Sequence, residues 1–413
     1  LIFDYNSQES ENKSRVEYTG RFGNWKLNGG LAYDGVRYTN NSLIKVATPV
    51  GQEDLIFDSR LYFNRYAAFA QASQKLLNDR LVLSFGIRTD ANNYSSLMSN
   101  PLDQISPRAS VAYSLSSNFA INANLGRYYQ LPPYTAMGYR RDNSFYNRNS
   151  LTYIQADHAV LGFEYITASS SKLTVEAYYK KYENYPYLTE RDLTLANLGG
   201  DFGVVGNDAL ESTASGLAYG LEFLFQQRLY KGFYGIGSYT LGWSQFEDDQ
   251  GELVSSSWDS RHIVNLTLGK KFGKDWEAGF NWRFQTGLPF TPFDENSNLV
   301  SYWNLNNAGI PDYTLLNTQR ANASNTLDFR IDKRWYFDKF SLNLYFDIEN
   351  VFGNAVGAPV MLLDRPLDDN GSPMGGGVIE NPSDPFPEQR YQVKLQDVTQ
   401  GVPIPSLGVL LEI

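Results

Sequence analysis

The chain has 413 residues, of which 15% are aromatic, with a net charge of -10 and a pI near 4.9. This acidic balance argues against nucleic-acid binding. A mean hydropathy of -0.39, with no run of roughly 18 apolar residues, excludes transmembrane helices. Membrane-spanning strands are not excluded, because every second residue of such a barrel faces a wet lumen. The sequence has no cysteine, which suits a compartment where thiols oxidise.

Short polar turns recur along the chain, each between two alternating runs of residues. They fall at residues 23–24, 77–79, 116–118, 169–171, 231–232, 273–274, 338–339 and 399–401. Longer connections separate them at residues 40–58, 96–105, 131–151, 188–211, 246–257, 289–321 and 353–387. This pattern predicts an all-β, antiparallel up-and-down transmembrane β-barrel of about 16 strands, with short periplasmic turns and long outer loops.

The predicted strands carry one apolar and one polar face. Leu81, Leu83 and Phe85 lie on one side of their strand, and every even residue from 340 to 348 is apolar. Because a lipid-facing charge near the bilayer midplane costs about 2 to 4 kcal/mol, the charged faces are assigned to the lumen. The run 61–72 is ambiguous, since aromatic residues and alanines occur on both of its faces. Aromatic residues crowd the strand ends, which is typical of interfacial girdles.

Five segments resemble parts of the TonB-dependent outer-membrane receptors. Two of them, ISPRASVAY at 105–113 and ANLGRYYQLPPY at 123–134, resemble the mid-barrel hairpin of that family. QADHAVLGFEY at 155–165 continues the resemblance. WDSRH at 258–262 and DIENVFGN at 347–354 look like the versions found in Bacteroidetes receptors. Their order over nearly the whole chain identifies it as a member of this family.

The resemblance implies a barrel of 22 strands that closes around an N-terminal plug domain. A barrel of this size has a lumen of the kind that a plug fills. Residues 1–413 would then form a single barrel domain, the C-terminal portion, with the plug and the first strands missing upstream. The resemblance also implies a Gram-negative outer membrane, with lipid and lipopolysaccharide around the barrel. TonB would be a partner through the missing plug, and a surface lipoprotein is a further candidate.

The function implied by this resemblance is TonB-energised uptake of a scarce or bulky ligand. The ligand could be a siderophore, a glycan, a peptide or a cobalamin-like molecule, and nothing in the sequence selects among them. Two alternatives stay open at this point: a docking or assembly barrel that transports nothing, and a passive 16-stranded porin. An outer-membrane hydrolase is the least favoured reading.

Two loops carry residue types suited to contact with a ligand or a partner. The loop 131–151 contains Tyr134, Tyr139, Arg140 and Arg141. Aromatic rings give flat apolar contact area, and arginine recognises anionic groups through two parallel hydrogen bonds. The loop 289–321 contains Tyr302 and Trp303, whose rings are suited to stacking on sugars. These six residues are our candidate contact residues, and a packed structural loop is the alternative for 131–151.

Catalytic and metal motifs are weak. Asp259, Ser260 and His262 have the residue types of a hydrolase triad, but on a strand Asp259 points away from the other two, so no catalysis is expected. Two histidines and no cysteine do not favour a transition-metal site. No cofactor is expected. The acidic loop 246–252 offers four carboxylates that could hold Ca²⁺, but it lacks the EF-hand spacing, and a solvated acidic loop is the favoured reading.

Overall fold

The computed structural model describes residues 3–48, 51–169, 171–198, 208–365, 375–399 and 401–413. Its main element is an antiparallel sheet of 17 strands. Fifteen of these, each of nine residues or more, follow one another in chain order and form what we term the wall. They are β1 (Phe3–Phe22), β2 (Trp25–Thr48), β3 (Gly51–Leu76), β4 (Leu81–Asn92), β5 (Ile105–Ser114), β6 (Phe119–Gln130), β7 (Ile154–Ile166), β8 (Ser171–Leu188), β9 (Leu210–Tyr230), β10 (Phe233–Glu247), β11 (His262–Phe272), β12 (Trp276–Gln285), β13 (Ser324–Tyr336), β14 (Ser341–Glu349) and β15 (Ile404–Glu412).

The remaining elements are short and lie in the long connections. Two small strands, Leu193–Thr194 and Leu253–Ser255, complete the main sheet. Three two-stranded sheets pair Arg140–Arg141 with Ser144–Phe145, Pro289–Phe290 with Gln319–Arg320, and Ala355–Leu363 with Val393–Thr399. The helices are α1 (Tyr134–Met137) and α2 (Val300–Asn306). Single 3₁₀ turns occur at Ser96–Met98, Tyr146–Asn149, Leu195–Leu198, Tyr313–Leu315 and Phe386–Glu388. None of the described helices has the length and apolar character needed to cross a bilayer.

The register confirms the predicted division of the wall into two faces. Leu161 on β7 lies opposite Ala123 on β6 and Ala177 on β8, so apolar side chains meet on one face. On the other face, Arg330 makes an ion pair with Asp332 at 2.8 Å. This ion pair therefore lies on the side away from lipid, where water can solvate it.

Lys333 is a charged residue on the apolar face of β13, opposite Leu344. Its ammonium group donates to the carbonyl of Lys274 and lies 5.8 Å from the ring centre of Trp276 and 5.4 Å from that of Trp335. Such a side chain can keep its aliphatic stem in lipid while its charge reaches the interface. Trp276 and Trp335 thus mark the girdle at the short-turn end.

Two parts of the chain differ from the predicted strand pattern. Residues 40–58 were predicted as a loop, but β2 and β3 pair through them, from Thr48 opposite Gly51. Beyond the membrane a strand needs no apolar face, so the periodic signal is lost while the pairing continues. The turn at 399–401 was predicted to join two alternating strands of the barrel, the first of them at 391–396; instead Val393–Thr399 pairs with Ala355–Leu363, and β14 pairs directly with β15.

The largest buried hydrophobic cluster lies at the long-loop end of the wall. It joins β2 and β3 to the connections that follow β4, β6 and β8. Its fully buried members include Tyr38, Leu61, Met98, Met137 and Leu188. This end therefore has a packed interior, and the long connections fold onto the wall.

Candidate ligand-binding region at the long-loop end

The connection between β6 and β7 is a compact loop built from local turn chemistry. Two prolines end β6, and α1 follows them directly. Arg140–Arg141 and Ser144–Phe145 then form a miniature hairpin whose two turn residues, Asp142 and Asn143, have φ of 50° and 63°. Aspartate and asparagine tolerate this left-handed conformation better than most residues, and it matches the twist of a two-residue hairpin.

Asn147 fixes this loop to its neighbours. Its side chain is fully buried, donates to the carbonyls of Ala136 and Asp208 at 2.8 and 3.0 Å, and accepts from the amide of Leu210 at 3.0 Å. One amide thus satisfies backbone groups of two connections that are distant in sequence. Since an unpaired buried polar group costs about 1 to 3 kcal/mol, this residue defines how the loops sit.

A cavity of about 440 Å³ lies where this loop meets β1, β3 and β4. Arg65 lines it, and its guanidinium lies 3.1 Å from both the Glu11 and the Asp34 carboxylates. The Tyr134 hydroxyl accepts from Arg65 at 3.0 Å and donates to Glu11. Burial, followed by the hydrogen bond to Glu11, raises the pKa of Tyr134. The cavity is therefore polar, and its lining carries the carboxylates of Glu9, Glu11 and Asp90 and the guanidinium groups of Arg65 and Arg88.

A second cavity, of about 460 Å³, has aromatic walls. Phe246 lies 4.6 Å from Tyr185 and 5.4 Å from Tyr182, measured between ring centres, and Trp258 completes the wall. His158 also lines the cavity, with its ring 4.6 Å from that of Tyr128. Such rings offer flat surfaces and polar edges to an incoming molecule.

The two cavities lie on either side of one segment. Tyr129, Gln130, Leu131 and Pro133 line both of them. A molecule bound in either cavity would therefore touch the start of the loop 131–151. This arrangement places a polar and an aromatic compartment side by side at the long-loop end.

Tyr134 is the candidate contact residue that lines a cavity; Tyr139, Arg140 and Arg141 lie further out. Tyr139 packs against Tyr146 at 5.6 Å, and burial raises the pKa of Tyr139. Arg140 donates to the carbonyl of Asn143 at 2.8 Å. Arg141 is exposed and 3.7 Å from Glu190. Their contact with a ligand stays a prediction, and Arg141 is the most accessible of the three.

Tyr302 and Trp303 lie together on α2, away from both cavities. Trp303 is 4% exposed and packs with Val300 and Tyr391 in a small hydrophobic cluster. Burial raises the pKa of the half-buried Tyr302. The Trp303 ring holds the loop together, so of this pair only Tyr302 presents part of its side chain to solvent.

The surroundings of Asp259 indicate a structural role for this residue. Its buried carboxylate accepts hydrogen bonds from the Ser255 hydroxyl at 2.8 Å, the Arg320 guanidinium at 2.6 Å and the backbone amide of Ser244 at 3.1 Å. Burial alone would raise the pKa of Asp259, but hydrogen bonds from Ser255, Arg320 and Arg261 hold it below its usual range. His262 pairs instead with the Tyr239 hydroxyl at 2.9 Å. The residue types of a triad are thus present without its geometry.

The acidic loop 246–252 is a tight turn. The Asp248 carboxylate accepts the amides of Gln250 and Glu252, both at 2.9 Å. Within the ranges that the structure describes, no three acidic or histidine side chains are grouped to hold a metal ion. The preference for a solvated acidic loop over a Ca²⁺ site stays a prediction.

The sequence predicts the loop 131–151 as a contact region, but it does not predict the wall residues that face this loop. Glu11 and Arg65 lie 54 positions apart, and only the register of β1 to β3 brings them together. Tyr182 and Tyr185 could have been noticed, because the aromatic sequence YENYPY interrupts the alternation of β8. The register shifts at these residues, as expected for a bulge that redirects side chains.

A wall of antiparallel strands with a lipid-facing apolar surface, short turns at one end and packed loops at the other defines an outer-membrane β-barrel protein. The chain belongs to the TonB-dependent receptors, since residues 2–351 match the family described as "TonB dependent receptor-like, beta-barrel". That family consists of transport receptors. The long-loop end is therefore the outer end, and the cavities lie beneath outer loops.

Solved structures show the same fold at low sequence identity. The copper transporter OprC is 12% identical with a TM-score of 0.57, covering 99% of this chain and 56% of that protein. The ferric citrate transporter FecA is 13% identical, with a TM-score of 0.59 and coverages of 99% and 55%. The ferric yersiniabactin uptake receptor FyuA from Yersinia pestis is 14% identical, with a TM-score of 0.58 and coverages of 100% and 55%. The chain thus spans just over half the length of these proteins. No curated protein matches its sequence.

Proposed function

We propose that this chain forms the wall and outer loops of a receptor for TonB-energised uptake of a scarce or bulky ligand. The observation that carries the proposal is the pair of adjoining cavities beneath the outer loops of a TonB-dependent receptor barrel. In this scheme the ligand binds from outside, and TonB acts through a plug domain. This part of the protein performs no covalent chemistry.

The ligand that suits these cavities has a flat apolar face and several hydrogen-bonding groups. The aromatic cavity offers the rings of Tyr128, Tyr182 and Trp258, and the polar cavity offers the charged groups around Arg65. Siderophores, glycans, peptides and cobalamin-like molecules include members of this kind. The three structural relatives are transporters or receptors of copper, ferric citrate and ferric yersiniabactin, so metal chelates are the first class to test.

The test is an uptake assay with the full-length receptor in its own cells, using a panel of radiolabelled ferric chelates, oligosaccharides and corrinoids. We expect uptake of one class to stop when TonB is depleted, while binding to the cell surface persists. Uptake that continues without TonB would instead identify a passive porin. If deletion of the receptor gene removes a lipoprotein from the cell surface without reducing the uptake of any ligand, the protein is a docking barrel.

A second measurement locates the binding site. Trp258→Ala removes an aromatic wall, and we expect the affinity for the identified ligand to fall by about tenfold. Trp335→Ala is the matched control, because Trp335 is a partly exposed tryptophan at the short-turn end. Equal affinities of the two variants would remove the aromatic cavity from the proposal.

A further inference from the structure

The lumen side of the wall carries a row of basic side chains across β5 to β8. Arg108 on β5 lies opposite Gly126 on β6, and His158 on β7 lies opposite the same glycine from the other side. Lys180 on β8 lies opposite His158. Residues directly opposite one another share a face of a sheet, and Leu161, three positions after His158, is on the lipid face. The three basic side chains therefore face the lumen, and we term them the basic row.

The Tyr128 ring connects the basic row to the aromatic cavity. The Arg108 guanidinium lies 4.3 Å from the centre of this ring, and the His158 ring lies 4.6 Å from it between ring centres. A side-chain carbon at Gly126 would come within 3.1 Å of the Tyr128 ring, so the glycine leaves the space that the ring occupies. Because Tyr128 and His158 both line the aromatic cavity, a molecule in that cavity lies beside the basic row.

The carboxylates near the basic row are paired elsewhere. On β7, Asp157 pairs with Arg127 at 2.7 Å on the opposite face, and Glu164 pairs with Lys172 at 2.6 Å. Among the residues that the structure describes, no carboxylate lies within ion-pair distance of the basic row, and the buried Nε2 atom of His158 has no hydrogen-bond partner. The row is thus available to an anionic group, which would form charge-assisted hydrogen bonds there.

The polar cavity has an excess of the opposite charge. Its described lining contains three carboxylates and two guanidinium groups, those of Glu9, Glu11, Asp90, Arg65 and Arg88. Two further charges contact this lining, Asp34 at Arg65 and Lys13 at Glu11, and they cancel each other. The cavity therefore suits a ligand group that brings one positive charge.

The register gives the separation of the two regions. Arg108 lies opposite Gly86 on β4, which lies opposite Gln71 on β3. Arg65 is six residues from Gln71 on the same strand, which corresponds to roughly 20 Å. An extended peptide spans about 3.3 Å per residue, so about six residues bridge this distance. The segment from Tyr129 to Pro133, which lines both cavities, borders the path between them.

We propose that the ligand is a peptide of about six residues with free ends, whose carboxylate binds at the basic row and whose ammonium group binds in the polar cavity. This inference rests on the proposed function and narrows its ligand. Of the four ligand classes considered above, a peptide is the one that carries opposite charges at its two ends. A polyanionic chelate would be repelled by the polar cavity, and a neutral glycan would leave the basic row without a partner. The aromatic cavity between them accepts an apolar side chain.

The experiment uses the full-length receptor, purified in detergent and immobilised, with an equimolar library of random hexapeptides that have free ends. Mass spectrometry quantifies the retained peptides, and the same library is tested after acetylation of the amino end or amidation of the carboxyl end. We expect each modification to reduce retention by about tenfold, because it removes one charge-assisted interaction. Random dipeptides cannot reach both regions and should be retained as weakly as the modified libraries.

Variants assign each end of the peptide to its region. Arg108→Gln combined with Lys180→Gln should abolish the difference between the free and the amidated library and preserve the difference between the free and the acetylated library. Glu9→Gln should do the reverse. Lys172→Gln, on the same face of β8, is the matched control and should change neither difference. Should the double variant fail to fold, as judged by heat-modifiable electrophoretic mobility, Lys180→Gln alone provides the test.

Several results would overturn the proposal. Equal retention of the free and the modified libraries is one, and loss of either difference in Lys172→Gln is another. A difference at one end only would also overturn it, since the ligand would then carry a single charge. TonB-dependent uptake of a chelate or a corrinoid, without any retained peptide, would overturn this inference and leave the proposed function intact. The absence of any TonB-dependent uptake would overturn both.

Discussion

The wall and the outer loops of this protein are held by different kinds of interaction. In the wall, each strand pairs with its neighbours through regular backbone hydrogen bonds, and the side chains only need to respect two faces. In the outer loops, single polar side chains join distant segments. Asn147 is one, and Arg390 is another, donating to the carbonyl of Glu295 at 2.6 Å and to Asn298 at 2.7 Å. The wall therefore follows a repeated rule, whereas the loops depend on individual residues.

The most damaging change to the wall should be a charge on its lipid-facing side. Leu161→Arg places a cation between Ala123 and Ala177 and should reduce the free energy of unfolding by about 2 to 4 kcal/mol. Asn124→Arg, on the lumen side of β6, should cost far less because water solvates that face. Denaturant unfolding in lipid vesicles measures both. Similar losses for the two variants would mean that the faces are wrongly assigned.

The loops should respond to the loss of a single amide. Asn147→Ala leaves the groups that it pairs unsatisfied, so the free energy of local opening of the loop 131–151 should fall by about 1 to 3 kcal/mol. Hydrogen exchange resolved by peptide checks this. We expect faster exchange in the loop 131–151 and unchanged exchange in β6 and β7. A uniform increase across wall and loops would show that the two regions are not independent.

Asp259 should make the loops sensitive to acid. Because its pKa in the folded state lies below the usual value, its stabilising contribution is complete above about pH 4 and disappears as pH falls through the lowered value. Asp259→Asn should cost about 1 to 2 kcal/mol at pH 7 and remove this part of the acid sensitivity. Pepsin cleavage between pH 5 and pH 2, normalised to a peptide substrate, measures it. An unchanged acid profile in the variant would contradict the assignment.

The smallest effect on stability is expected at Tyr134, whose hydroxyl joins the loop 131–151 to the wall. Tyr134→Phe removes the hydrogen bonds with Glu11 and Arg65 and should weaken the docking of α1 by about 0.5 to 1.5 kcal/mol. Tyr146→Phe is the control, since that tyrosine is 47% exposed. Exchange rates of the amides in α1 provide the readout. No difference between the two variants would remove this contact from the account.

The same contrast explains what could be predicted from the sequence. Alternation such as that of 340–348 is local, and it predicted the all-β barrel and its two faces. Residues 391–396 alternate equally well, yet they pair outside the wall, because alternation does not identify a strand's partner. Trp303 has a residue type suited to sugars, but it is buried among loop residues that no short pattern connects. Nothing in a single asparagine at 147 distinguishes it from a surface residue. The predicted contacts of Tyr302, Arg140 and Arg141 stay predictions.

The paired strands β2 and β3 have a consequence for what can reach the receptor. From Tyr33 at the outer girdle to Thr48, β2 continues for 15 residues, roughly 50 Å along the strand. β1 pairs with it as far as Ile44, so three strands support this extension, enough for a stable sheet. We expect antibodies raised against residues 40–58 to label intact cells. Large particles such as phages or antibodies would meet this extension before the cavities, which lie closer to the bilayer.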